Sequence, residues 1–157
     1  MTPGDTLSQE VVEPLVYKSQ IKVPYKWAAG ETGSRFFIEL RDNKRFVVTR
    51  CGACAKTYVP PKKTCPGCFK ACTETVEVGP GGTLLAFTQA EVASPAHPVD
   101  RPVYGLIRLD GADTAMLHLV GGTPLAALRV DMRVEAVFKE DRKGHILDIA
   151  YFKVIDG

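Results

Sequence analysis

The sequence predicts a mainly β fold in three consecutive parts, and three observations lead to it. Residues 51–68, CGACAKTYVPPKKTCPGC, contain two Cys-x-x-Cys pairs ten residues apart. Short segments with β-type alternation follow the cysteines and are separated by turn residues. The chain has 157 residues, enough for one domain or two small ones. We therefore expect an N-terminal helical and extended arm (1–46), a rubredoxin-like zinc ribbon (47–76) and a five-stranded barrel of the oligonucleotide/oligosaccharide-binding (OB) type (77–157).

The N-terminal arm has little core pattern of its own. Prolines and glycines interrupt residues 1–35, and the stretch VPYKWAAG contains Tyr25 and Trp27. An aromatic arm of this kind usually packs on its own domain. It can also be a docking element, because Trp and Tyr are enriched at interfaces.

A short helix and a strand are predicted before the first cysteine. SRFFIELRDN is typical of a helix that begins at an N-cap, Ser34, and ends at Asn43. Its apolar face would contain Phe36, Phe37 and Leu40. KRFVVTR then alternates as a strand that leads into Cys51.

Five strands are predicted after the cysteines. They cover residues 81–92, 102–110, 114–120, 132–140 and 145–155. GPGG (79–82) forms the turn between ribbon and barrel, TPLAAL (123–128) a helical turn and DRKG (141–144) a hairpin turn. Five strands with a helical element before the fourth fit an OB barrel, and a generic five-stranded sandwich is the alternative. Strand five is apolar on both faces, so its second face must meet the ribbon, the arm or another protein.

The paired cysteines predict a structural zinc site. Thiolates two residues apart in a tight turn can bind one ion, and two such knuckles complete a tetrahedron. Cys51, Cys54, Cys65 and Cys68 are the predicted ligands, with Gly52 and Gly67 inside the turns. A rubredoxin-type iron site and a dithiol redox site are the alternatives. Four thiolates leave no open position for catalysis. Cys72 is expected to have no role, with a reserve ligand as the second possibility.

Positive charge is concentrated around the cysteines. The chain has a net charge of +2, but residues 41–70 contain eight cations and one anion. A solvated basic face would explain this, and so would a site for nucleic-acid phosphate or for the phosphates of a nucleotide-like cofactor.

The remaining sequence offers no coherent catalytic constellation. His97, His118 and His145 have no spaced carboxylate or nucleophile nearby, so we expect no activity from the isolated chain. MTPGDTLSQE lacks the features of a signal peptide, and no apolar run of 18 residues occurs. The expected location is the cytoplasm, with no membrane partner. There the thiols would stay reduced.

The order of these motifs resembles the acyl-CoA-associated family of zinc-ribbon/OB-fold proteins. The resemblance covers about residues 34–140 and runs through RCGAC, VPPKKTCPGC, GGTLLAFTQAEV, RPVYGLIRLDGADTAMLHLVG and MRVEAVFKE. Its most specific marks are the Pro-Pro before the second knuckle and PVYGLIRLD. Asp131 stands where glycine is expected, which affects only the geometry of that turn.

The resemblance implies a non-catalytic subunit of a hetero-oligomer. Such proteins are similar to small subunits that pair with thiolase-like enzymes or steroid side-chain aldolases, complexes that cleave or form C–C bonds in acyl-CoA thioesters. The partner contains the catalytic residues, and the small subunit helps to bind the CoA ester. The basic cluster then predicts CoA-phosphate contacts from Arg45, Arg50, Lys56, Lys62 and Lys63. A module that binds single-stranded nucleic acid is the alternative, which the scarcity of exposed aromatic residues on the barrel strands makes less favoured.

Overall fold

The structure, a computed structural model, describes residues 12–155. It contains one α-helix, α1, and eight strands. Their bounds are α1 Gly30–Asn43, β1 Phe46–Arg50, β2 Thr57–Tyr58, β3 Glu74–Val78, β4 Gly81–Gln89, β5 Val103–Leu109, β6 Met116–Gly121, β7 Arg133–Phe138 and β8 Ile149–Val154. Two 3-10 helices cover Leu125–Ala127 and Ile146–Asp148. Residues 1–10, on which the expectation of no signal peptide rests, lie outside the described residues.

The strands form two sheets, which confirms the predicted fold class. One is a three-stranded antiparallel sheet in the order β2-β1-β3, and the other is a closed barrel in the order β4-β5-β6-β8-β7. The parallel pair β6–β8, with Val120 beside Phe152, closes the barrel as in an OB-fold. Within residues 12–155, no helix has the length and hydrophobicity needed to cross a bilayer.

Helix α1 starts earlier than predicted. Its first residue is Gly30, preceded by Ala29 without a side-chain cap, so the assignment of Ser34 as the N-cap is wrong. Its end is as predicted: Lys44 follows Asn43 in the left-handed conformation (φ 54°), and its N–H bonds to the Glu39 carbonyl. The expected core face is also present, since Phe36 and Leu40 are buried.

The connection before the last strand differs from the prediction. β8 begins at Ile149, and the preceding residues form a 3-10 helix, so DRKG is not a tight hairpin turn. The buried Asp148 carboxylate organises this loop by accepting hydrogen bonds from the N–H groups of Lys143, Gly144 and His145. Burial alone would raise the pKa of Asp148, but these three donors outweigh it and hold that pKa below its ordinary value.

The turn before β7 contains Asp131, at the position where the family resemblance predicts glycine. Asp131 has φ 68°, the left-handed conformation that glycine adopts without strain and that Asp tolerates better than most residues.

In the barrel, Gly105 is required by close packing. A Cβ there would lie 2.5 Å from Val120 Cγ2 and 2.7 Å from Leu84 Cδ1.

One hydrophobic core joins the helix, the three-stranded sheet and the barrel. Phe46 of β1 lies 6.5 Å from Phe36 of α1, 5.7 Å from Phe138 of β7 and 6.3 Å from Phe152 of β8, measured between ring centroids. Phe152 of the last strand therefore packs against β1 as well as against its neighbours in the barrel.

Hydrogen bonds fix the ribbon on the barrel at a second point. The N–H of Thr57 donates to Asp113 Oδ2 over 2.8 Å, and the N–H of Val59 donates to Thr114 Oγ1 over 2.8 Å. The Thr114 hydroxyl returns a bond to the Val59 carbonyl. Three of these four residues are wholly or partly buried. These bonds therefore hold the ribbon in one orientation against the β5–β6 loop.

Candidate metal centre and interaction surfaces

The four predicted ligand cysteines come together in one group. All four Sγ atoms lie within 4.8 Å of one another, with 3.5 Å between Cys51 and Cys68 and 3.6 Å between Cys54 and Cys65. A tetrahedral zinc with Zn–S bonds of about 2.3 Å requires S–S separations of about 3.8 Å. The donor set and its dimensions therefore fit zinc, which would be held as a thiolate complex.

Two similar knuckles present these sulfurs. In the first, the N–H of Ala55 bonds to the Cys51 carbonyl, and in the second the N–H of Phe69 bonds to the Cys65 carbonyl. Ala55 and Phe69 both have φ 58°. The left-handed residue thus follows the second cysteine of each pair, whereas Gly52 and Gly67 inside the turns do not have a positive φ.

A tyrosine outside the knuckles supports one sulfur. The buried Tyr58 hydroxyl lies 3.1 Å from Cys65 Sγ and is placed to donate to a thiolate there. This bond, helped by the N–H groups of Cys68 and Gly67 and opposed by burial, lowers the pKa of Cys65 to about 6. The same bond, together with burial, raises the pKa of Tyr58. The sequence motifs give no signal for this contact, since Tyr58 lies between the two knuckles, seven residues before the third cysteine.

Cys72 is not part of the four-sulfur group. It is half-buried beside the group, and burial is the main reason that its pKa is raised. It lines a cleft of about 300 Å³ between the start of α1 and the ribbon, together with Glu31, Arg35 and Lys63.

The five predicted phosphate-binding cations differ in their surroundings. Arg45 forms ion pairs with Glu39 (2.8 Å) and Glu77 (3.3 Å), and Arg50 Nε donates to the Ala55 carbonyl. Lys56, Lys62 and Lys63 are exposed and form no ion pair among residues 12–155. The charge of Arg45 is therefore already balanced by two glutamates, whereas the three lysines can bind an external anion.

Two of the three histidines, His118 and His145, form hydrogen bonds that support the fold. His118 is buried, and its Nε2 lies 3.1 Å from the Ile146 carbonyl. Burial is the main cause that lowers the pKa of His118. His145 Nδ1 accepts from the Leu147 N–H at the start of the 3-10 helix. His97 lies beside Tyr104, with 6.5 Å between ring centroids.

The outer face of β5 and β6 is apolar around Leu106 and Leu117, and the exposed Arg108 lies at its end. Leu106 and Leu117 are cross-strand partners, 38% and 64% exposed, and Tyr104 lies two residues from Leu106 on the same strand. We call Tyr104, Leu106 and Leu117 the barrel patch. It borders a shallow apolar cavity of about 250 Å³, lined in part by Pro98 and Ile146. The only signal for this surface in the sequence is that Leu106 and Leu117 occupy outward positions of the predicted strands.

Comparison with known protein families assigns the ribbon and the barrel to one family. Residues 39–71 match the rubredoxin-like zinc ribbon domain of ChsH2, and residues 75–139 match the C-terminal OB-fold domain of ChsH2. Together, the two matches cover more than half of the chain.

Three individual proteins match the chain at 31% identity or less. A protein of Thermomonospora curvata named "Probable enoyl-CoA hydratase alpha subunit" is 31% identical over 91 residues, which are 57% of this chain and 28% of that protein. The chain thus spans little more than a quarter of that relative's length.

Two solved structures share the fold. The structure titled "Ltp2-ChsH2(DUF35) aldolase" matches with a TM-score of 0.61 and 22% identity, over 82% of this chain and 98% of that one. A protein of unknown function from the DUF35 family of Sulfolobus solfataricus matches with a TM-score of 0.59 and 17% identity, over 80% and 84% of the two chains.

Proposed function

The chain belongs, by both of its domains, to the ChsH2-type zinc-ribbon/OB-fold proteins, and on that premise we propose that it is the non-catalytic, zinc-containing subunit of a thiolase- or aldolase-type complex that acts on CoA thioesters. The observation that carries the proposal is this pair of domains. The titles and names of two relatives agree with it: one includes ChsH2 in an aldolase, and the other is an enoyl-CoA hydratase subunit by name.

The barrel patch supports a protein partner. Leucines at the centre of an exposed sheet face favour burial against another protein. OB-folds that bind single strands instead place aromatic side chains beside cations on this face. Here Tyr104 is the one aromatic residue of the patch and is half-buried, so the nucleic-acid alternative has less support.

The metal centre supports a structural role for zinc. A site of four thiolates leaves no position for a water or a substrate, so a zinc held by Cys51, Cys54, Cys65 and Cys68 would stabilise the ribbon. The reacting groups would then come from the partner, in a complex that cleaves or forms a C–C bond.

The free lysines support a role in CoA binding. We assign phosphate contacts to Lys56, Lys62 and Lys63, with Arg50 beside them, and a structural role to Arg45. In its most specific form the complex is a benzoylsuccinyl-CoA thiolase of anaerobic aromatic degradation, because PYKWAAGETGSRFF resembles the small subunit of that enzyme.

The test is recovery of the native complex through an affinity tag on this chain. We expect a larger, thiolase-like subunit to co-purify, and CoA-thioester cleavage to require both subunits. Leu117→Asp should weaken the complex at least tenfold, as for a central interface residue, whereas Val130→Asp, a change at an exposed apolar residue outside the patch, should not. Turnover by the isolated chain, or a partner unrelated to thiolases, would show the proposal to be wrong.

The lysine assignment has its own kinetic test. Lys62→Ala/Lys63→Ala should raise the KM of the complex for the CoA ester about tenfold, because two charge-assisted contacts are lost. The effect should shrink with salt and with a thioester that lacks the nucleotide. Lys153→Ala, at an exposed lysine of the barrel, is the control. An unchanged KM together with tight, salt-sensitive binding to single-stranded DNA would favour the nucleic-acid alternative.

A further inference from the structure

Residues 21–27, IKVPYKW, have the alternation of a β-strand but no sheet to join. We call this segment the strand arm. Ile21, Val23, Tyr25 and Trp27 are between 68% and 87% exposed and alternate with Lys22, Pro24 and Lys26. In an extended chain, side chains two residues apart share a face, so the four apolar groups form one continuous row. A row of large exposed apolar side chains, unlike a single one, indicates an interaction site.

The backbone of the strand arm is also available for pairing. Outside helices and strands, no backbone hydrogen bond within residues 12–155 involves residues 12–28, and that stretch has no helix or strand. In a strand, the N–H and C=O groups of alternate residues point to opposite edges. The odd-numbered residues can therefore form a complete ladder on one edge. Pro24 has no N–H, so the even-numbered edge cannot, which restricts the segment to the outside of a sheet.

Charge argues against the sheet edges of this chain as the acceptor. The barrel is closed, and the three-stranded sheet ends in β2 and β3. That sheet includes part of the basic segment 41–70, and both glutamates of β3 lie beside its arginines: Glu77 pairs with Arg45, and Glu74 is the register partner of Arg50. Lys18, Lys22 and Lys26 would add like charge there. An acceptor with acidic side chains beside an apolar groove complements them better.

We infer that the strand arm binds the catalytic subunit by β-strand addition, with the edge of Ile21, Val23, Tyr25 and Trp27 paired to a free sheet edge of that subunit. This inference rests on the proposed function for the identity of the partner. Main-chain bonds would supply affinity, and the apolar row, held against a groove beside that edge, would supply specificity. Pro24 would end the pairing at this strand, because a further strand could not complete a ladder on its other side.

Hydrogen exchange tests the pairing edge directly. The tagged native complex supplies the large subunit, which is identified and then produced separately. Exchange at single-residue resolution is compared for the full chain alone and in the reconstituted complex. We expect the amides of Val23, Tyr25 and Trp27 to exchange at least tenfold more slowly in the complex, and those of Lys22 and Lys26 to change little. Equal protection of both sets would contradict the proposed edge.

Proline variants test the same ladder by affinity. Val23→Pro removes an N–H from the pairing edge and should weaken the complex at least tenfold, beyond the effect of Val23→Ala, which keeps that N–H. Lys22→Pro removes an N–H from the opposite edge and should have at most a twofold effect. All three variants should keep the melting temperature of the isolated chain, since the arm lies outside the core. Equal weakening by Val23→Pro and Lys22→Pro would overturn the inference.

The outcomes separate this inference from the proposed function. A thiolase-like large subunit that binds without protecting the strand arm would disprove the inference and leave the proposed function intact. A large subunit of another class that protects the odd-numbered amides would disprove the proposed function and the identity of the acceptor. A dimer of the isolated chain that protects the same amides would identify a second copy as the acceptor and disprove the inference. Recovery of no large subunit would disprove both.

Discussion

The hydrogen bond from Tyr58 to Cys65 should measurably strengthen zinc binding. Tyr58→Phe keeps the buried ring and removes the hydroxyl that lies 3.1 Å from Sγ. Groups that support metal ligands from outside the coordination shell typically contribute 10- to 100-fold in affinity. We therefore expect the zinc Kd to rise by that factor, which corresponds to about 1.4–2.8 kcal/mol. Because zinc binding and folding of the ribbon are coupled, the melting temperature of the zinc-loaded protein should fall as well.

Competition with a chromogenic chelator at pH 7 measures this effect. The ratio of zinc Kd values between variant and parent is the quantity of interest, since it cancels the affinity of the chelator. Tyr151→Phe, at a half-buried tyrosine of the barrel, is the matched control and should leave the Kd unchanged. A Tyr58→Phe protein that binds zinc as tightly as the parent would show that the hydroxyl does not support the site.

Three further changes have defined outcomes. Cys65→Ala should abolish bound zinc while Cys72→Ser should retain one zinc per chain, and metal analysis that finds equal zinc in both would contradict the ligand set. Asp148→Asn should cost about 1–2 kcal/mol at pH 7 in urea unfolding. Because the folded-state pKa of Asp148 lies below its unfolded value of about 3.9, its stabilisation is complete above that pH and is lost as pH falls through the folded pKa. The difference from the parent should therefore shrink toward pH 3, and a constant difference would refute this. Gly105→Ala should destabilise by about 1–3 kcal/mol through contact with Val120, and an unchanged urea midpoint would show that the barrel relaxes.

The sequence predicted best those elements whose residue spacing is set by one contact, either a bound metal ion or a buried face of a strand. The two Cys-x-x-Cys pairs predicted the sulfur cluster because their local turns can satisfy one ion. The barrel strands were found because one face of each is buried, as in β5, where Gly105, Ile107 and Leu109 are buried and Leu106 and Arg108 are exposed.

Other elements depend on contacts that a local pattern does not contain. β3 was missed because four of its five residues are not fully buried, and its pairing with β1 across more than 20 residues defines it. The early start of α1 includes Gly30 and Gly33, which disfavour a helix locally, so intrinsic propensity failed there. The loop around Asp148 needed three backbone donors to one carboxylate, which only the folded chain brings together.

The position of β3 has a practical consequence for anyone who exchanges modules among these proteins. The matched OB-fold region begins at residue 75, yet β3 (Glu74–Val78) pairs with β1 in the ribbon sheet. A chimera joined between residues 71 and 75 would give the ribbon an edge strand from a different parent. It would also place a foreign residue against Phe46, whose ring already reaches two barrel strands. The productive junction lies at Gly79, where the chain leaves one sheet before entering the other, and grafts designed there must still match the residues that Phe46 contacts.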